Sequence, residues 1–158
     1  MNVAIVGPTG VLGRALVPLL LQRGRPVHAL ARSPEMVHKL FPQVADIFEC
    51  DLLAISTDDL ASMLEGCDAV VHIATAIPRD FTAPHAMDVT NRLRTDGVRK
   101  LLDVSLEVGA RRYIQQSITM AYPDHGDDWI SLEDFVASHP ICFNSGPDRL
   151  NASHVMLL

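Results

Sequence analysis

The chain has 158 residues, 48% of them apolar and 20% charged, with a net charge of −6. That length fits one domain with a core of its own, and the acidic balance argues against nucleic acid or an anionic membrane as a partner. The three cysteines are few and odd in number, and no secretion leader precedes them, so reduced thiols and a cytoplasmic location are expected.

The first apolar run, Val3-Ala4-Ile5-Val6, is short and unalternating. It predicts a strand over 2–6 buried on both faces, as in the middle of a parallel sheet. Val11, Leu12, Ala15, Leu16, Leu19 and Leu20 recur at helical spacing, predicting a helix over 11–23 with Pro18 inside it and Gly24 closing it. A second strand follows over 26–31. Ser33 then Pro34 reads as a helix cap and first helical residue, giving a short helix over 34–40. A third strand is expected over 44–50. A helix capped by Ser56 or Thr57 runs to Leu64, and a fourth buried strand covers 68–74. A long helix over about 85–108 and a fifth strand over 111–117 complete the series.

This is β-α repeated with short connections. Right-handed crossovers then dictate an α/β, doubly wound parallel sheet in the order 3-2-1-4-5, with helices on both faces. The character changes after residue 121. Residues 122–158 hold six acids, one base (Arg149) and no lysine, and show no clear element beyond a helical turn or two over 130–136. The expected division is a nucleotide-binding domain over 1–121 and an acidic, irregular segment over 122–158.

Between the first strand and first helix stands Gly7-Pro8-Thr9-Gly10-Val11-Leu12-Gly13. In this context the three glycines have separate tasks. Gly7 permits the tight turn, Gly10 lets a pyrophosphate approach the backbone, and Gly13 lets helix and strand pack closely. Thr9, Val11 and Leu12 lie at the helix N-terminus that would face the phosphates. Where the second strand ends, an NAD-preferring site would place a carboxylate for the ribose hydroxyls. Arg32 stands there instead, and a guanidinium can pair with a 2′-phosphate. With Ser33 adding a hydroxyl, the expected cofactor is NADP, with NAD the alternative. Asp51 could accept from the adenine amino group or serve only its own turn. Ala74, Thr75 and Ala76 are small where a cofactor ribose would pass. His72, inside a strand, reads as a core histidine and not a general base. No spacing of Cys or His suggests a metal.

The GPTGVLG spacing resembles the extended and atypical short-chain dehydrogenase/reductase families, the NAD-dependent epimerase/dehydratase-like kind of Rossmann protein. ALARSP looks like that family's second strand. Asp51-Leu52 looks like its adenine-contacting pair, and VVHIATAIP like its fourth strand and turn. DGVRKLLDVSLEVGARRYIQQS is similar to its long helix and fifth strand. The resemblance covers about residues 1–135. It implies hydride chemistry near the ends of the fourth and fifth strands, on a small carbonyl or hydroxyl compound or a sugar nucleotide. Ser117 or Thr119 would polarise a carbonyl and Tyr122 would donate a proton.

The chain also departs from the family. A Tyr-x-x-x-Lys pair normally supplies an activated tyrosine. Here the lysines are Lys39 and Lys100 and the tyrosines Tyr113 and Tyr122, and none are so spaced. Ile118 takes the usual catalytic hydroxyl position, and Arg94 stands where many relatives carry asparagine. The sequence therefore supports two functions: an NADP-dependent oxidoreductase or epimerase-like enzyme, and a non-catalytic dinucleotide-binding sensor or inactive truncated fragment. Family members usually continue well past this length, so an exposed edge on the fifth strand, inviting a homodimer, is a further expectation.

Overall fold

The computed structural model describes residues 1–116 and the backbone of residues 155–157. Five strands were expected and all five form: β1 (Val3–Val6), β2 (Val27–Ala31), β3 (Asp46–Glu49), β4 (Ala69–His72) and β5 (Arg112–Gln115). Every pairing is parallel and the order is β3-β2-β1-β4-β5. A short sixth strand, β6 (Val155–Leu157), pairs parallel with β5. The sequence reading assigned no element to those residues and left β5 as an edge. Three residues carry too little periodicity to be seen locally, and their partner lies about forty positions earlier.

The helices are α1 (Val11–Gln22), α2 (Pro34–Leu40), α3 (Thr57–Leu64), α4 (Asp88–Arg92) and α5 (Val98–Glu107). Strand alternation sends residues to two separate cores. Val3 and Ile5 of β1 join Val17, Val37, Phe41 and Val71 on the side of α1 and α2. Ala4 and Val6 join Leu60, Leu64, Val70, Leu101 and Val104 on the side of α3 and α5. β1 is buried along its whole length because both of its faces are covered. Among the described residues no helix is long and apolar enough to cross a membrane.

The long helix departs from expectation. It begins at Asp88, and a π-turn over Leu93–Gly97 separates α4 from α5. Gly97 presses on the loop after β3, where a Cβ would come within 3.0 Å of Leu52 Cδ2. Ser56 caps α3 as read, accepting from the Asp59 amide at 3.1 Å. Ser33 takes the cap position of α2, but its hydroxyl does not cap; it donates to Glu35 Oε2 at 3.0 Å.

A cavity at the strand ends as candidate functional site

The C-terminal ends of β1 to β5 converge on one cavity of about 420 Å³. Position outside the carboxyl ends of parallel strands is where open α/β sheets take ligands. The first wall is the β1–α1 loop, contributing Gly7, Thr9, Gly10, Val11 and Leu12. Gly7 has φ +95, and a Cβ on it would meet the Cα and N of Ala74 at 2.7 Å. No other residue type fits there, because the ends of β1 and β4 approach backbone to backbone.

Gly13 is fixed for a different reason. A Cβ on it would overlap the Pro8 carbonyl and lie 2.7 Å from Gly7 O. It does not line the cavity; the close contact it allows is between the first turn of α1 and the Gly7–Pro8 turn, where helix–strand packing is the expectation. Gly10 has no such internal constraint. Its φ is −72, and a Cβ would meet nothing closer than Gly7 O at 3.5 Å. The space kept free by Gly10 is space on the cavity side.

α1 starts at this wall with no side-chain cap and no acidic residue in its first turn. Its leading N–H groups and the positive end of its dipole are therefore uncompensated by side chains, the setting that favours an anionic group. Arg14 braces the loop by donating from Nε to Thr9 O at 2.9 Å, so its head group works on the protein itself.

The second wall holds Arg32 and Ser33 at the end of β2, with Met36 of α2 beside them. Arg32 is exposed and makes no ion pair among the described residues. Asp51 and Leu52 follow β3. Asp51 Oδ1 accepts from the Leu53 amide at 3.1 Å, so this carboxylate does shape its own turn while lining the cavity. Leu52 is buried, with 3% exposure. A clamp missed at the sequence level holds this loop: Lys100 Nζ donates to Leu52 O at 3.1 Å and Ile55 O at 2.7 Å. Lysines near a nucleotide site invite catalytic readings, and only the fold reveals these carbonyl partners.

The third wall is the loop after β4. Ala74 and Thr75 line the cavity; Ala76 does not. The Ala76 carbonyl accepts from the buried Thr90 hydroxyl of α4, which anchors the loop. Ile77, Val89, Leu93 and Gln116 also line the cavity; the sequence singles out none of these as a binding residue. Their common signal is position, either past a strand end or at the start of the long helix.

A buried polar chain lies behind this end of the sheet. His72 Nδ1 donates to Gln115 Oε1 at 2.8 Å, and the Tyr113 hydroxyl donates to the same oxygen at 3.0 Å. Gln115 Nε2 donates to Gln116 O at 3.0 Å. Burial pushes the His72 pKa down to about 4, and the Arg94 charge adds to this, against the opposing effect of the hydrogen bond His72 donates to Gln115. Burial likewise raises the Tyr113 hydroxyl above its ordinary range. Both are thus neutral core groups. Ser117, Thr119 and Tyr122, the expected catalytic residues, lie outside the described residues.

Fold and cavity together define a Rossmann-type dinucleotide-binding protein. A family profile described as NAD(P)H-binding matches residues 7–139, and the chain belongs to that family. Its sequence relatives include a 3-diazoavenalumate denitrifying reductase from Streptomyces sp, 35% identical over 130 residues. That match covers 80% of this chain and 40% of the reductase. A dihydroflavonol 4-reductase from Solanum lycopersicum is 34% identical over 111 residues, covering 65% of this chain and 27% of that protein. The chain thus spans less than half the length of these relatives.

Among solved structures, a short-chain dehydrogenase/reductase superfamily protein from Agrobacterium tumefaciens with bound NAD is 25% identical, with a TM-score of 0.65. It covers 92% of this chain and 40% of its own. MoeE5 in complex with UDP-glucose and NAD superposes with a TM-score of 0.69 at 23% identity, covering 85% of this chain and 42% of its own. The fold of this NAD(P)H-binding chain is thus similar to that of short-chain dehydrogenase/reductase superfamily proteins.

Proposed function

We propose that this chain binds a nicotinamide dinucleotide across the strand ends, prefers NADP, and serves reductase or epimerase-like chemistry on a small carbonyl, hydroxyl or sugar-nucleotide substrate. The observation that carries the binding reading is the cavity itself. It runs from Arg32 past an uncapped helix N-terminus to Thr75, and its centre is held open by Gly7 and Gly10. When bound, the dinucleotide supplies or accepts a hydride at its nicotinamide carbon.

This chain's residues do the rest. The first-turn N–H groups of α1 receive the pyrophosphate, because they are aimed outward and lack partners from capping side chains. Asp51 accepts from the adenine amino group with the oxygen its turn leaves free, and Leu52 forms the apolar floor beside it. Arg32 pairs with the 2′-phosphate, which is the reason for placing NADP before NAD. Ala74 and Thr75 leave room for the nicotinamide ribose. Ser117 or Thr119 polarises the substrate carbonyl and Tyr122 donates the proton. The reductases among the relatives support the chemistry, and the UDP-glucose complex of a structural neighbour supports the sugar-nucleotide class.

A second reading is binding without turnover. One observation favours it: Lys100 is engaged by two carbonyls and Tyr113 is buried, so neither can form the usual activated pair. Titration of the full chain with NADPH and NADH, followed by nicotinamide fluorescence, tests the binding. Saturable binding with NADPH the tighter is expected; failure of both at millimolar concentration ends the reading. Steady NADPH oxidation with a panel of carbonyl compounds, lost on Tyr122→Phe or Ser117→Ala, separates the enzyme from the binder.

A further inference from the structure

Two groups of opposite charge stand where β2 meets α2. Arg32 faces the cavity without an ion pair among the described residues. Three positions on, Glu35 takes a hydrogen bond from the Ser33 hydroxyl at 3.0 Å. Its own backbone N–H and then that hydroxyl hold the Glu35 carboxyl below the usual carboxylate range. It is therefore ionised at neutral pH.

Ser33 itself lines the cavity. A serine hydroxyl has one proton and two lone pairs. With the proton directed at Glu35, Ser33 offers the cavity only acceptor capacity. A ribose hydroxyl can donate to that surface. A phosphate cannot, since at neutral pH it mainly accepts, and it must also approach the Glu35 charge. The Ser33–Glu35 pair and Arg32 therefore ask for different ligands at one place.

We propose that the Ser33–Glu35 pair is a specificity element that accepts from a 2′-hydroxyl and opposes a 2′-phosphate, so that this chain takes both dinucleotides and Arg32 and Glu35 set the ratio. The inference rests on the dinucleotide reading above. The carboxylate expected directly after β2 in an NAD-preferring site is in effect present, three residues late and relayed through a hydroxyl. Both charges are exposed, so solvent and salt screen them and the effect on affinity is limited to about three- to ten-fold.

The test uses the full chain, as wild type, Glu35→Gln and Ser33→Ala. NADPH and NADH are titrated by fluorescence, and 2′,5′-ADP and ADP by calorimetry. Glu35→Gln keeps the hydrogen bond and removes the charge. It is expected to tighten NADPH and 2′,5′-ADP by about three- to ten-fold, with the gain shrinking as salt rises. NADH and ADP should stay within about two-fold of wild type or weaken. Ser33→Ala removes the acceptor and should weaken NADH more than NADPH. An unchanged NADPH to NADH ratio in Glu35→Gln, with wild type binding both, overturns the inference alone. If wild type binds neither, the dinucleotide reading falls and this inference with it.

Discussion

Gly7 and Ala74 meet backbone to backbone, with a notional Gly7 Cβ only 2.7 Å from the Ala74 Cα and N. This contact brings the ends of β1 and β4 together at the middle of the cavity. Gly7→Ala must therefore both strain a φ of +95 and push β4 aside. A loss of at least about 2 kcal/mol in urea unfolding is expected. Gly10→Ala is the contrasting variant, because its Cβ finds ordinary contact distance and its backbone suits alanine. It should cost less than about 1 kcal/mol of stability. If Gly10 is kept for a phosphate's approach, the same variant weakens NADPH by about ten-fold or more. Stability lost without affinity in Gly10→Ala would mean the glycine serves the turn.

Lys100 provides a second, independent prediction. Its ammonium holds the carbonyls of Leu52 and Ile55, and the loop they belong to carries Asp51. Lys100→Met retains most of the side chain's apolar length and removes the donors. A destabilisation of about 2 kcal/mol is expected from the charged hydrogen bonds. ADP affinity should fall with it, as the 51–55 loop loses its anchor. Unaltered ADP binding at unaltered stability would show the clamp to be idle.

These two cases mark how far the amino-acid order alone could be read. Val3–Val6 announced a central strand because four apolar residues in a row need cover on both faces. Gly13 reads as a helix–strand packing residue, and the crowding the structure shows at it is against the backbone of the Gly7–Pro8 turn. The cavity likewise contains most of the residues named from spacing, with Gly13 and Ala76 just outside it. What escaped was set by distant partners. Lys100 and Leu52 are 48 positions apart. The π-turn ends at Gly97, which lies against Leu52, and no local propensity encodes that contact. Ser33 looked like a helix cap with a spare hydroxyl, since the competition from Glu35 is a matter of rotamer.

The proposed NADP preference rests on Arg32, which lines the cavity, and its removal has a directional outcome. Arg32→Ala should weaken NADPH about ten-fold while changing NADH by less than about three-fold. The side chain is exposed, so stability should stay within about 0.5 kcal/mol of wild type. Equal losses for both dinucleotides would assign Arg32 to the shared part of the ligand instead of the 2′-phosphate.

His72 makes stability depend on pH in a defined window. It is fully buried, and burial, with the Arg94 charge, lowers its pKa from 6.5 to about 4. Between those values the unfolded chain binds a proton that the folded chain refuses. Stability therefore rises with pH across the window and falls as the solution is acidified through it. The whole effect is about 3 kcal/mol for a shift of this size. Below about pH 5 the ordinary titration of carboxylates begins to add to the loss, so urea unfolding at about pH 7, 6 and 5 isolates the histidine. His72→Gln keeps an N–H donor for Gln115 and has nothing to titrate. It should flatten the stability profile over that range, leaving a steeper fall only where carboxylates protonate. An equal slope in the variant would place the acid sensitivity elsewhere in the molecule.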